Sequence, residues 1–284
     1  MSEIKEIQGA DLRKMQLLQL DMLVELDRVC KKNDIHYQIW GGTQLGAVRH
    51  KGFIPWDDDA DIVMLREEYE KLKKCADELN GDICYFQDHS TDKEYRWGYG
   101  KLRRTGTKYI RVGQEHLKCK TGVFVDIFPL DDIPKSTVGQ MLQDFHCYCL
   151  RKIMWSEVGR VNTKGFMKLW YTLLSKINVE FVFNRLKRYT KKSRNSSENK
   201  VRTLCFTSIG KLYRKHPIKE RYGMPKKWFT SFEQFEFEGV MLDGLKYYDE
   251  YLTFSFGDYM QLPPPEKREQ HSPVSEYDLG GDPI

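Results

Sequence analysis

Four aspartates, Asp57, Asp58, Asp59 and Asp61, fall within five positions of the stretch GGTQLGAVRHKGFIPWDDDADIVML at 41–65, and an apolar run, Ile62 to Leu65, follows at once. In a strand, side chains alternate between faces, so Asp57, Asp59 and Asp61 would share one face and Asp58 the other. Same-face neighbours lie roughly 6.6 Å apart along a strand, close enough for their carboxylates to converge on one or two hard cations. Without a cation they repel one another, and burying even one beside Ile62–Leu65 costs several kcal/mol. Mg²⁺ takes one or two protein carboxylates together with phosphate oxygens and water, so Asp-x-Asp at a strand end suits a metal-bound nucleotide. A bare Asp-x-Asp is more often a solvated acidic loop or a helix-capping set ahead of residue 66. The surroundings favour the metal. Gly41-Gly42 closes the preceding strand, and a further acid, Asp126, lies between Val125 and Ile127 inside the apolar segment GVFVDIFPL. A carboxylate there needs a partner, and a metal shared with Asp59 and Asp61 would supply one.

Other residues around this cluster invite a phosphate. Gly41-Gly42 followed by a helix start brings backbone N–H groups near an anion at the positive end of the helix dipole; alone, the pair reads equally as a tight turn. Arg49 and Lys51 lie between the glycines and the aspartates, as pyrophosphate contacts or as a solvated basic loop. Lys101 and Arg103 alternate within an expected strand and share a face, which suits a phosphate clamp. Lys267, Arg268 and His271 follow a proline run in a position to close over the site. Trp40, Trp56 and Trp97 read as core or rim packing rather than base stacking, and the other histidines lack any ligand spacing.

The elements that must position these groups form a mixed α/β pattern. Met15, Leu18, Met22, Leu26 and Val29 mark one face of an opening helix. HYQIW (36–40) reads as a strand, TQLGAVRH as a short helix with Thr43 near its N-cap, and ADIVML (60–65) as a second strand. A helix is expected over 66–80 with Tyr69, Leu72, Ala76 and Leu79 inward, then strands over 83–87, 95–104, 107–112 and 122–130. Residues 138–220 read as mostly helical, 229–242 as a hairpin around Gly239, and a short helix with a proline stop closes the pattern. The expected organisation is an α/β core over 1–135, a basic helical subdomain over 136–227, and a hairpin with a tail over 228–284 that returns to the core.

Composition agrees with a globular protein: 284 residues, 40% apolar and 31% charged. The N-terminal stretch lacks an apolar leader core, and no apolar run approaches the roughly 18 residues a membrane span requires. Seven cysteines include no C-x-x-C pair and read as free thiols of a reducing cytosol. There is no internal repeat. The net charge of +5 is unevenly placed: residues 151–230 hold 21 Lys and Arg against 4 Asp and Glu, which leaves the remainder, including the aspartates, acidic. Aromatics interleave with the basic residues there, but no nucleic-acid motif is present. The block reads as an amphipathic basic surface toward anionic lipid or as a solvated helical face.

WGGTQLGAVRHKGFIPWDDDADIVM closely resembles the signature of the LicD/fukutin family of phosphotransferases, in its bacterial LicD branch. The resemblance continues through GYGKLRRTGTKYI, GVFVDIFPLDDIP and YMQLPPPEKREQH and covers most of the chain, the basic middle least distinctively. It implies a nucleotidyltransferase-like mixed sheet with flanking helices. The LicD branch is associated with moving phosphocholine from CDP-choline to cell-surface glycans; the fukutin branch uses CDP-ribitol. Carried over, Asp59 and Asp61 match the paired metal aspartates, Asp126 a third carboxylate, and Gly41, Gly42 and Thr43 the element facing the nucleotide phosphates. Asp57 and Asp58 enrich the cluster and leave the pairs 57/59 and 59/61 both open, with 59/61 favoured because the buried strand starts next to it.

The resulting expectation is a transferase dependent on Mg²⁺ or Mn²⁺. A sugar hydroxyl would attack the β-phosphate of CDP-choline or another CDP-alcohol and CMP would leave, with Asp58 or a neighbour taking the proton. The acceptor would be a lipid-linked glycan such as a teichoic acid precursor, and the enzyme would be cytoplasmic, peripheral at the inner face of the plasma membrane. Nucleic acid is not an expected partner. Two rivals stand beside this: nucleotidyl transfer to a small molecule or RNA, which would release pyrophosphate, and a non-catalytic module binding membrane or nucleic acid through 151–230. The head group and the acceptor sugar stay open.

Overall fold

The structure, a computed structural model, describes residues 4–193, 199–205, 216–218, 220–268, 273–281 and 283. Its first helix, α1 (Gly9–Lys32), buries Met15, Leu18, Met22, Leu26 and Val29 along the expected stripe, and buries Gln16 and Gln19 with them. A short β1 (Gln38–Ile39) leads into α2 (Gly41–His50), then β2 (Asp61–Leu65) and α3 (Arg66–Lys74). The helix expected to reach residue 80 ends at Lys74 and gives way to a 3₁₀ turn, Ala76–Glu78. Next come β3 (Cys84–Gln87), β4 (Gly100–Arg104), β5 (Lys108–Arg111) and β6 (Phe124–Asp132). The strand expected over 95–104 begins only at Gly100, where a Cβ would stand 2.8 Å from the Tyr69 hydroxyl and 2.9 Å from the Phe86 ring.

The helical block holds α4 (Thr137–Met154), α5 (Ser156–Asn162), α6 (Gly165–Ser175) and α7 (Val179–Ser193). Helix was expected as far as 220, but β7 (Lys200–Arg202) is extended and pairs with the end of β6 and with β8 (Met224–Pro225); residues 194–198, 206–215 and 219 lie outside the described residues. The hairpin is β9 (Phe232–Phe237) and β10 (Val240–Leu245), turning at Glu238 and Gly239. Both have positive φ, 52° and 81°, as a two-residue hairpin turn requires. Helix α8 (Tyr248–Phe256) and β11 (Val274–Asp278) complete the chain, and β11 forms a separate two-stranded ladder with β5.

Among the described residues the main sheet has seven strands, in the order β1-β2-β6-β4-β3, with β7 and then β8 branching from β6. The β2–β6 pair is parallel and the other pairs are antiparallel. Alternation gives the sheet two faces. Ile62, Met64, Val125 and Ile127 pack with α1 in the largest hydrophobic cluster. Val63, Phe128 and Leu130 face the other way, into a second cluster with Trp40, Trp228, Leu245 and Tyr251. A third, smaller cluster, Cys147, Leu150, Ile153, Met154, Val182, Leu186 and Leu204, holds α4 against α7. The fold is thus a mixed α/β sheet with flanking helices and a basic helical block. All seven cysteines are free. Among the described residues no helix is long and apolar enough to cross a membrane.

Candidate active site

The parallel β2–β6 register puts Asp61 opposite Asp126, and the antiparallel β6–β4 register puts Lys101 opposite Asp126. Neighbouring strands lie about 4.8 Å apart, so Asp61, Asp126 and Lys101 form a charged row across three strands on one face of the sheet. Phe128, two residues along from Asp126, belongs to the second cluster, so the row borders that cluster. Asp126 and Lys101 are both buried and ion-paired. The Lys101 ammonium lies 3.5 Å from the centre of the Phe124 ring. Burial, against the pull of Asp126 and helped by the nearby Arg103 and Arg111, brings Lys101 down to about 7.

The remaining aspartates reach the row by a different route. Residues 57–60 are not strand, so the expected alternation of 57, 59 and 61 does not govern them. Their backbone is held by side chains of α1. Gln16 Nε2 donates to the carbonyl of Asp57 at 3.0 Å, and Gln19 Nε2 donates to the carbonyls of Asp58 at 3.1 Å and Phe124 at 3.3 Å. The loop curls, and carboxylate oxygens of Asp57, Asp58 and Asp59 come within 4.8 Å of one another. Asp57 and Asp58 are buried and Asp59 is half-buried. Burial first, then Asp59, Asp126 and Asp57, push the Asp61 carboxyl well above the usual range, with Lys101 opposing.

The two glycines make room for these carboxylates. A Cβ on Gly42 would stand 2.6 Å from Asp57 Oδ2, and one on Gly41 would stand 3.1 Å from Asp61 Oδ2. Gly41 also has φ +56°, and its N–H donates to the Tyr251 hydroxyl at 3.2 Å. The N-cap of α2 is Trp40, not Thr43. Thr43 Oγ1 instead accepts the Asp61 N–H at 2.8 Å and ties the start of β2 to the helix.

Next to the row lies a pocket with about 430 Å³ of empty space, part of it open to solvent, walled by Trp97, Tyr99, Tyr109 and Phe124 and by Lys101, Arg103 and Arg111. Lys101 and Arg103 do share this face, but Arg103 already donates to Gln87 Oε1 at 2.7 Å and to the Gly122 carbonyl at 2.9 Å. Arg111, which the sequence reading passed over, lies 4.9 Å from the Phe124 ring centre. Its buried Nε has no hydrogen-bond partner among the described residues. Asp126, Tyr99, Tyr109 and Asp59 outweigh burial and hold it above the ordinary guanidinium range. The Tyr109 hydroxyl is 3.5 Å from Asp58 Oδ2, so the pocket and the acidic cluster share a wall.

The other basic candidates lie apart from the row. Arg49 donates to the Tyr259 carbonyl at 2.9 Å and to the His50 ring at 3.0 Å. Lys51 is exposed and pairs with Glu236 of the hairpin at 2.9 Å. Lys267 ends an exposed 3₁₀ turn, and Arg268 lies 4.9 Å from the centre of the Trp56 ring, at the entry to the aspartate loop. His271 lies outside the described residues.

The donor set fits a hard divalent cation. It consists of oxygen alone, Asp57, Asp58 and Asp59 are already gathered, and burial and the neighbouring aspartates raise the Asp61 carboxyl, a cost that a cation would relieve.

A mixed sheet thus brings paired carboxylates beside a cation-lined pocket. Residues 34–171, which carry the aspartate loop, Lys101 and Asp126, match the LicD/FKTN/FKRP nucleotidyltransferase domain, so the chain carries a domain of that family. It is similar to the lipopolysaccharide cholinephosphotransferase LicD of Haemophilus influenzae, 28% identical over 280 residues that cover 94% of this chain and 98% of that protein. An uncharacterised protein of Rickettsia prowazekii is 26% identical over 156 residues, 55% of this chain and 53% of its own.

Proposed function

We propose that the protein transfers phosphocholine from CDP-choline to a sugar hydroxyl of a lipid-linked glycan, such as a teichoic acid precursor, and releases CMP. The observation that carries this reading is the row Asp61–Asp126–Lys101 beside a pocket that adds Arg111, with an orphaned buried donor, to aromatic walls. The likeness to a lipopolysaccharide cholinephosphotransferase over nearly the whole chain supports phosphocholine and a glycan acceptor.

Asp59, Asp61 and Asp126, with Asp57 and Asp58 beside them, would hold Mg²⁺ or Mn²⁺, which when bound supplies charge neutralisation at the pyrophosphate. Lys101 and Arg111 meet the phosphate oxygens and hold the β-phosphorus in place, and the aromatic walls exclude water from it. The acceptor oxygen forms its bond to the β-phosphorus. The bond from that phosphorus to the bridging oxygen breaks, and CMP leaves with the electron pair. Asp58, facing the pocket through Tyr109, takes the hydroxyl proton. The enzyme works in the cytoplasm, peripheral to the inner face of the membrane that carries its acceptor.

The test is a thermal-unfolding screen with CDP-choline, CDP-ribitol, CDP-glycerol and CDP-ethanolamine, with and without Mg²⁺. A bound donor raises the midpoint by mass action, and CDP-choline is expected to give the largest metal-dependent shift. Turnover should yield CMP. Release of pyrophosphate from a nucleoside triphosphate would replace this reading with nucleotidyl transfer.

A further inference from the structure

Helix α4 is built inside out over its first half. Gln140, Gln143 and Asp144 point inward, where Asp144 pairs with Arg202 at 2.7 Å and Gln143 donates to the Ser193 hydroxyl. Val138, Met141, Leu142 and Phe145, at helical spacing i, i+3, i+4, i+7, point outward and are 62%, 48%, 60% and 58% exposed. Helix α6 goes further: of its 11 residues only Tyr171 is buried. Phe166, Leu169, Trp170 and Leu173 form another outward stripe, with Phe166 at 75% exposure. A helix so apolar is ordinarily covered by protein or lipid. At 11 residues α6 is roughly 16 Å long, too short to span a bilayer.

Charge decides what covers it. Lys164, Lys168 and Lys176 flank the α6 stripe and are exposed. The three acids of 137–193 are already paired: Asp144 with Arg202, Glu157 with Arg160 and Glu180 with Lys93. A second copy of this chain would bring an equally basic face against this one. An anionic lipid surface offers acyl chains to the stripe and negative headgroups to the lysines at once. We propose that α6, with the outward stripe of α4, is an interfacial docking surface that lies in the headgroup region of an anionic bilayer.

The surface reaches the pocket rim through α5, which lies between α4 and α6 in the chain and packs against both. Asn162, at the end of α5, donates to the Val112 carbonyl at 3.3 Å and packs so closely on Gly113 that a Cβ there would be 2.3 Å away. Gln114 of the same loop lines the pocket. Docking through α6 therefore sets the pocket rim near the membrane, and this purpose rests on the transfer reading above. The docking itself needs no donor nucleotide.

The experiment is co-sedimentation of the full chain with vesicles of phosphatidylcholine alone or with phosphatidylglycerol added. Binding is expected only with the anionic vesicles, with Trp170 fluorescence quenched by brominated lipid and the quenching reduced in Trp170→Phe. The triple variant Phe166→Ser, Leu169→Ser, Leu173→Ser should keep its unfolding midpoint and lose about tenfold or more in vesicle affinity, as removal of several apolar groups from an interfacial helix predicts. Leu142→Ser with Phe145→Ser checks the α4 stripe independently. Equal or absent sedimentation with both vesicle types, or a triple variant that binds like wild type, overturns the proposal. So does a dimer in lipid-free solution that the same substitutions dissolve, since the face would then belong to a second copy. Thermal protection by CDP-choline should be the same in all variants; its absence in wild type would sink the donor assignment and leave the vesicle result standing.

Discussion

Helices α1 and α4 both bury glutamines, and they use them in opposite ways. In α1, Gln16 and Gln19 sit among Met15, Leu18 and Met22 and reach through the apolar layer to hold the aspartate loop. Every apolar residue of the stripe faces in, and the helix serves the site. In α4, Gln140 and Gln143 occupy the inner face while apolar residues are displaced to the outside. Buried polar groups in the first helix hold the aspartate loop, whereas those in the second hold a helix whose apolar side faces outward. The same contrast runs through the ion pairs. Lys101–Asp126 stands in the row with Asp61, and Arg202–Asp144 stands in the helical block.

The largest effect should come from the acidic side. Asp61→Asn and Asp59→Asn are each expected to lower CMP release by about 10³-fold or more, the scale of losing a transition-state charge stabiliser, and EDTA should do the same to wild type until Mg²⁺ or Mn²⁺ is returned. Near-normal kcat in either variant would dissolve the assigned centre. Next come the two buried pairs. Removing one partner leaves the other charge buried, so Lys101→Met and Arg202→Met should each cost about 3–5 kcal/mol by urea unfolding. Mg²⁺ should recover part of the loss for Lys101→Met, because Asp126 regains a cation, and none for Arg202→Met. Equal recovery, or none in both, would erase the difference between the regions.

Gln19→Leu should cost less, about 1–3 kcal/mol, because it strips a donor from two buried carbonyls, and it should lower activity while a Gln143→Leu variant does not. The smallest effect is a gain. The folded state holds the Asp61 proton more tightly than the unfolded chain does, so this group's contribution is fully present below the usual carboxylate value and is lost as pH rises through its raised folded value. Metal-free Asp61→Asn should therefore be more stable than wild type at neutral pH, by about a few degrees in Tm, with the advantage shrinking toward pH 4. An unchanged midpoint across that range would mean the carboxylates do not crowd one another in solution.

The aspartate loop, the strand after it and the second acidic strand were legible because local pattern carries them: charges against Ile62–Leu65, and an acid enclosed by Val125 and Ile127. The register that sets Asp61 beside Asp126 was not, since strands so far apart in sequence are paired by tertiary packing. The reading of 57, 59 and 61 as one strand face missed because side chains of α1, rather than a ladder, fix residues 57–60. The signal was present: Gln16 and Gln19 fall on the same helical face as Met15 and Met22. Arg111 was passed over because alternation within TKYIRV cannot say which face meets the site. The glycines were found, but the anions they accommodate are the protein's own carboxylates.

The strand that carries Tyr109 and Arg111 is not part of the seven-stranded sheet. Its ladder partner is β11, and Ser275, which donates to the Ile110 carbonyl, stands 165 residues later in the chain. Lys5 bridges to the same strand at Val274. On a ribosome that adds about 5–20 residues each second, β5 emerges early and waits many seconds for the segment that must clamp it. The acidic row can assemble as soon as β6 is out, but the cationic wall cannot. A nascent chain therefore passes through a stage with its carboxylates gathered and the neighbouring pocket unwalled, and the wall closes only once Val274–Asp278 has emerged.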